Sequence, residues 1–267
     1  MQAYEFREML VDSHCHLDRL DLKPYGGDFS LFLRETAERG VEHMLCISID
    51  LEKYPGMRAL VDGHPEISVS VGVHPNERDG IEPNTETLTE LARDPQVVAV
   101  GETGLDYFRS EGDVAWQQQR FRRHIQAARA VGKPLVVHTR EAREDTLRIM
   151  AEEGAAEVGG VLHCFTEDWE TAKRALDLNF HISFSGIVTF RNAQQIQEAA
   201  RKVPEDRLLI ETDSPYLAPI PHRGKPNYPF LVRHVAECVA ELRGMSFESV
   251  AETTARNYYA LFPKTKA

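Results

Sequence analysis

The sequence has no long hydrophobic run, and its first residues, Met1 to Glu8, carry none of the apolar stretch that opens a signal peptide. A membrane span needs about 20 consecutive apolar residues and a secretory leader needs an apolar core, so a cytoplasmic chain without membrane contact is expected. Cysteine is equally scarce. Cys15, Cys46, Cys164 and Cys238 are spread over 267 residues with no CxxC pair, which excludes a disulfide framework and a Cys-rich zinc site. With 17 Gly and 14 Pro the chain is also too poor in both for a collagen-like or low-complexity segment. Positive charge is the third shortage: 31 Lys and Arg stand against 42 Asp and Glu, a net charge of −11. A protein that holds nucleic acid on a broad basic surface is thereby excluded, and any polyanionic substrate has to be met locally. A metal site could supply that local charge, and 11 His with 42 carboxylates offer ample ligands.

What is present is a rhythm. Short β-branched runs bounded by polar, Gly or Pro punctuation predict strands at Met9–Ser13, His43–Ser48, Ile67–Val71, Gln96–Gly101, Pro134–Val137, Gly160–Leu162, His181–Phe184 and Arg207–Glu211. Helical patterning lies between them, as in Asp113 to Val131, where Val114, Phe121, Ile125 and Ala128 share a face before Gly132 and Pro134 stop the helix. Eight βα units with no linker between them point to a (β/α)₈ TIM barrel, one domain over residues 1–267. Spacing alone leaves an open doubly wound sheet in play, but the first βα turn, Ser13-His14-Cys15-His16, lacks the glycine fingerprint of a dinucleotide fold. After the eighth strand, Ser214 to Phe230 holds five prolines around Arg223-Gly224-Lys225, a stiff loop expected over the C-terminal mouth. Two closing helices are predicted around Leu231–Leu242 and Phe247–Leu261.

The strand ends carry the chemistry. His14 and His16 follow strand one, Glu102 strand four, His138 strand five, His163 strand six and Asp213 strand eight. Side chains alternate along a strand, so His14 and His16 point the same way and Cys15 the other. Four His and two carboxylates would then converge where TIM-barrel enzymes bind ligands. Metal barrels of the amidohydrolase type typically carry a carbamylated lysine after strand four. Here that strand reads Val98-Ala99-Val100-Gly101-Glu102, and a carboxylate bridge by Glu102 takes the place of the lysine. Two bridged divalent ions suit in-line displacement at phosphorus.

Those residues carry a likeness. Leu10-Val11-Asp12-Ser13-His14-Cys15-His16-Leu17-Asp18, Gly72-Val73-His74-Pro75, Gly101-Glu102-Thr103-Gly104-Leu105-Asp106-Tyr107, Val137-His138-Thr139-Arg140, Leu162-His163-Cys164-Phe165-Thr166 and Glu211-Thr212-Asp213-Ser214-Pro215-Tyr216-Leu217-Ala218-Pro219 resemble the TatD family of metal-dependent deoxyribonucleases. Gly159 to Thr171 and Ser183 to Asn192 are similar to its YcfH-like branch. The resemblance runs from residue 10 to about 260 and implies a TIM-barrel hydrolase with two divalent ions, Zn, Mn or Mg. It implies that His14, His16 and Asp213 hold one ion, His138 and His163 the second, and that Glu102 bridges. It also implies nuclease action on DNA, as an exonuclease on single strands; no obligate protein partner is evident.

Several neighbours have expected roles of their own. His74 would be a seventh ligand, too many for two four- or five-coordinate ions, and is assigned to a substrate phosphate or to orienting a water. Arg223 could clamp a phosphate. Asp106 and Arg140 are candidates to support the ligands, Arg122 and Arg123 to form a solvated helix face, and Cys164 to pack. Glu211 shares the strand parity of Asp213, so it could point into the barrel, where a buried carboxylate needs a partner. Glu102 and Asp213 are the expected catalytic residues, Asp213 as ligand and proton acceptor. Two rival functions use the same site: an amide or ester hydrolase, such as an aminoacyl-tRNA deacylase, and a metal-binding barrel without catalysis.

Overall fold

The computed structural model describes residues 9–263; Met1 to Glu8, which carry the leader expectation, lie outside them. Eight parallel strands form one sheet in sequence order: β1 Leu10–Cys15, β2 Val41–Cys46, β3 Ile67–Val71, β4 Val97–Asp106, β5 Leu135–Arg140, β6 Gly160–Leu162, β7 Phe180–Phe184 and β8 Leu208–Ile210. The ring is nearly closed just beyond β8, where Asp213 N–H donates to His14 O at 2.9 Å and His16 N–H to Ser214 O at 2.8 Å. This is a (β/α)₈ TIM barrel. Its helices are α1 Phe29–Glu38, α2 Tyr54–Val61, α3 Thr85–Leu91, α4 Ala115–Val131, α5 Arg143–Glu152, α6 Trp169–Asp177, α7 Gln194–Lys202, α8 Val232–Arg243 and α9 Phe247–Leu261. No helix among the described residues is long and apolar enough to cross a membrane.

Strand alternation divides the core in two. Met44, Cys46, Leu135, Val137, Leu162, Leu208 and Ile210 belong to the large cluster that packs strands against helices. The intervening positions, Leu45, Ile47, Val136, Val161 and Leu209, form a smaller cluster across the barrel with Tyr258 of α9 and the following Phe262. Each large side chain so buried contributes roughly 1.5–3 kcal/mol. The lumen is therefore a packed apolar plug toward the strands' N-terminal ends, and functional groups are left the C-terminal mouth.

Two strands run further than the sequence suggests. β4 continues through Gly101 to Asp106 and β5 through His138 to Arg140, so Glu102 and His138 lie inside strands rather than after them. The glycines that read as a stop are what let the strands approach. Gly101 and Gly104 have φ of +149° and +128°, and a Cβ at Gly104 would sit 2.0 Å from His138 O. Only glycine fits there.

Candidate metal centre

The alternation that builds the plug also builds the site. Two residues beyond Val136 is His138, two beyond Val161 is His163, and two and four beyond Leu209 are Glu211 and Asp213. β1 adds His14 with His16 just after it, β4 adds Glu102, and the turn after β3 adds His74. His14, His16, Glu102 and His163 are buried; His74, His138 and Asp213 are partly exposed toward the mouth.

Glu102 is the centre. Its Oε2 lies 3.4 Å from His14 Nε2 and 3.9 Å from His16 Nε2, and both imidazoles also face Asp213 Oδ1, at 3.5 and 3.3 Å. Its Oε1 lies 2.8 Å from His163 Nε2, 3.2 Å from His74 Nε2 and 3.3 Å from His138 Nδ1. One carboxylate thus offers one oxygen to each of two groups. Burial alone would raise the Glu102 pKa, but the surrounding His163, His74, His138 and His14 hold it well below the ordinary range. Burial likewise opposes ionisation of His163, His138 and His16, yet adjacent carboxylates raise all three, His163 most strongly. Burial lowers His14 and His74. Burial also works against ionised Asp213, and the hydrogen bond from His16 outweighs it to hold the carboxyl low.

The far nitrogens are anchored in turn. His16 Nδ1 is 3.2 Å from Ile47 O, His138 Nε2 is 3.1 Å from Asp106 Oδ2, and His163 Nδ1 is 3.2 Å from Glu211 Oε1. Such contacts fix which nitrogen faces the site. Asp106 also accepts from Asn76 Nδ2 at 2.9 Å, and Glu211 from Cys164 N–H at 2.9 Å. His163 and Cys164 supply partners for one oxygen of Glu211, Oε1. His74 behaves differently: its Nδ1 accepts Asn76 N–H at 3.0 Å, so in the neutral ring Nε2 carries the proton and donates toward Glu102. That tautomer suits a donor to an anion and not a metal ligand.

Local backbone places Asp213 beside the HxH pair. The two bonds that close the barrel flank it, and Asp12, whose carboxylate accepts from His14 N–H and Thr212 N–H, ties β1 to the segment after β8. Burial pushes the Asp12 carboxyl up to about 8 despite these bonds. Asp213 and Cys164 adopt φ of +57° and +43°, the left-handed region that residues with a Cβ enter at a cost of about 1–3 kcal/mol and that concentrates at functional sites.

The other expected residues are placed as follows. Arg223 is exposed in the proline-rich loop, its guanidinium over the Phe190 ring at 4.4 Å and outside the imidazole cluster. Asn227 stiffens that loop by donating to Thr212 O at 2.9 Å and Tyr216 O at 2.6 Å. Arg140 stacks over Phe108 at 3.9 Å. Arg122 and Arg123 pair with Glu152, Glu153 and Glu82 on the helix surface. Cys164 Sγ lies 3.2 Å from Ser185 Oγ. Sequence reasoning missed Arg120, which is buried and donates to His74 O and Glu77 O, and His124, whose Nε2 accepts Val73 N–H at 3.0 Å. Both hold the turn that carries His74. Their signal was available: Gln117, Arg120 and His124 follow a helical spacing on the apolar face of α4.

The donor set fits divalent metal. Both ring nitrogens of His14 are buried without a hydrogen-bond partner, and Nε2 faces two carboxylate oxygens at distances longer than a good hydrogen bond. An unpaired buried imidazole costs free energy that a bound cation would repay. Ligand atoms of His14, His16 and Glu102 group within 4.8 Å, and those of Glu102 and His138 do so on the other side, beside His74.

Comparison with known proteins agrees. Residues 11–263 match the family model described as TatD related DNase. The chain is 53% identical over 254 residues to the uncharacterized metal-dependent hydrolase YcfH of Escherichia coli K12, covering 95% of each chain. It is 38% identical to the uncharacterized metal-dependent hydrolase YabD of Bacillus subtilis, covering 95% of this chain and 99% of that one. Among solved structures, the TatD homolog YjjV of Escherichia coli K12 superposes with a TM-score of 0.86 at 28% identity, over 95% of this chain and 97% of the other. The chain belongs to the TatD family of metal-dependent hydrolases.

Proposed function

We propose that the chain is a binuclear phosphodiesterase, a deoxyribonuclease that trims single-stranded DNA from an end. The observation that carries this reading is the division of Glu102, one oxygen toward His14 and His16 and the other toward His138 and His163. His14, His16 and Asp213 would hold one ion, His138 and His163 the other, and Glu102 would reach both. Divalent ions held there would lower the pKa of a water toward neutrality and offset the charge of a phosphodiester.

The side chains supply the rest. Asp213, partly exposed at the mouth with its carboxyl held low by His16, would serve both as ligand and as acceptor of a proton from the attacking water. His74 presents Nε2–H from the side of Glu102 Oε1 and donates to a phosphate oxygen. Asp106 and Glu211 hold the imidazoles of His138 and His163 so that neither turns as substrate enters. Arg140 and Arg223, each resting on an aromatic ring near the mouth, meet phosphates further along the strand. Ions and a few such groups make a broad basic surface unnecessary, in keeping with the net charge of −11. The test is metal-stripped protein with Mg²⁺, Mn²⁺ or Zn²⁺, given 3′- and 5′-labelled single strands and a phosphodiester model compound. Metal-dependent loss of terminal nucleotides is expected. Cleavage of carboxylic esters or amides with no phosphodiester turnover under any of the three metals overturns the assignment.

A further inference from the structure

The imidazoles of His14 and His163 are stacked, ring centroids 3.8 Å apart and planes 7° from parallel. Both present Nε2 to the same carboxylate, His14 to Glu102 Oε2 and His163 to Glu102 Oε1. Beside the stacked pair stands Glu211, wholly buried. Its Oε1 accepts from His163 Nδ1 and from Cys164 N–H, while its Oε2 has no partner. His14 Nδ1 has none either. A ring nitrogen of each histidine and a carboxylate oxygen of Glu211 lie within 4.8 Å of one another. Among the site's other imidazoles, the ring nitrogen turned from Glu102 is already engaged, by Ile47 O for His16, Asp106 for His138 and Asn76 N–H for His74.

We infer that Glu211 is a double positioning residue: its Oε1 holds His163, and its Oε2, which has no hydrogen-bond partner, takes the Nδ1–H of His14 once metal is bound, so that a single carboxylate fixes one imidazole of each metal subsite. The inference rests on the binuclear reading above. Physically it completes two buried groups that otherwise lack partners, a donor at His14 Nδ1 and an acceptor at Glu211 Oε2. It also sets both rings in the tautomer that leaves Nε2 bare for a metal. Glu102 and Glu211 then act as a pair of clamps, one on the Nε2 edges and one on the Nδ1 edges.

Glu211→Gln separates the two halves. The amide oxygen can still accept from His163 and Cys164, but its NH₂ meets the Nδ1–H of His14, donor against donor. Zn²⁺ is titrated into metal-free wild type and variant against a chromophoric chelator, and the ring N–H signals of ¹⁵N-histidine-labelled, zinc-loaded protein are recorded. Wild type should bind two ions. Glu211→Gln should weaken both by about 10- to 100-fold, with two ring N–H signals moved. Asp106→Asn should move one signal, that of His138. Glu211→Asp, which keeps the charge, should recover part of the affinity, and thermal unfolding of each variant shows that it is folded; if Glu211→Gln fails to fold, Glu211→Asp is expected to weaken both ions to a smaller extent. A single moved signal in Glu211→Gln limits the residue to one imidazole and overturns the double role. Two ions at wild-type affinity with unmoved signals overturn the inference altogether. A wild type that binds fewer than two ions breaks the binuclear reading instead, and the ring signals still judge Glu211 separately.

Discussion

His14 in the barrel mouth and His124 on α4 are both fully buried, yet the protein treats them in opposite ways. His124 is complete: Nε2 accepts Val73 N–H at 3.0 Å, Nδ1 donates to Arg120 O at 2.8 Å, and burial holds the ring neutral by pushing its pKa down to about 4. His14 has neither nitrogen paired and stands against two carboxylates and another imidazole. Burial therefore does not separate a structural histidine from a ligand. An unpaired imidazole set against carboxylates does, because buried polar groups are nearly always paired and a bound cation is the partner that such a group of donors completes.

The sharpest way to break this contrast is Glu102→Gln. An amide is neutral and cannot give an equivalent oxygen to each side, so both ions should be lost together and turnover should fall on the order of a thousandfold or more. Metal content measured beside phosphodiesterase rate decides it, and two tightly held ions with near-normal rates would remove Glu102 from the bridge. His138→Asn and Asp213→Asn are the next largest, each about a hundredfold in rate. The first should deplete the ion on the Oε1 side, and the second the ion beside His14 and His16 together with the proton acceptor. If both variants lose both ions equally, the two sides are one site and the division of Glu102 has no functional meaning.

The sequence made the mouth legible because alternation is local: once β5, β6 and β8 are placed, His138, His163 and Asp213 follow from counting by twos. All eight strands were found because β-branched runs and the punctuation that bounds them are local as well. What stayed hidden depends on contacts across the fold. Gly101 and Gly104 read as punctuation when they are the close approach between β4 and β5. The partners of Glu211 lie 47 and 48 residues away on another strand's end. Arg120 and His124 stayed hidden because the groups that a polar residue on an apolar helix face bonds to, here the turn that carries His74, are set by contacts across the fold.

His124 yields the prediction for the structural side of the comparison. Its pKa is lowered in the folded protein from 6.5 to about 4, so the unfolded chain binds the proton first. The stability it contributes is present above pH 6.5 and is lost as pH falls toward 4, up to about 3 kcal/mol. Glu, Asp and the other histidines titrate in the same range, so the measurement is a difference. Urea unfolding of wild type and His124→Gln from pH 7.5 to 4 should show the variant less stable by about 1–3 kcal/mol at neutral pH. Its acid limb should be shallower, with two ions still bound. A variant that loses metal while its stability is unchanged would place His124 with the site and dissolve the contrast.

The smallest effect concerns salt, and it asks whether the mouth alone meets the substrate. The net charge of −11 argues against a broad cationic surface, and under the proposed function two arginines meet the phosphates along the strand. Arg140 and Arg223 rest on Phe108 and Phe190 without an ion pair among the described residues, whereas Arg120, Arg122, Arg123, Arg129 and Arg148 are each held by carboxylates. Each phosphate neutralised on a single strand contributes a slope of about −0.7 to log K against log salt. Two arginines therefore predict a slope of about −1.4, and Arg223→Ala and Arg140→Ala should each reduce it by about 0.7. The measurement is KM for a labelled oligonucleotide between 50 and roughly 300 mM salt, a range over which exposed charges are progressively screened. A slope several times steeper would reveal a cationic surface away from the mouth, and the substrate would then be gripped by the body of the protein as well as by its metal centre. A slope near −1.4 that neither substitution changes would leave the strand to the ions and His74, with both arginines serving only to hold their aromatic rings in place.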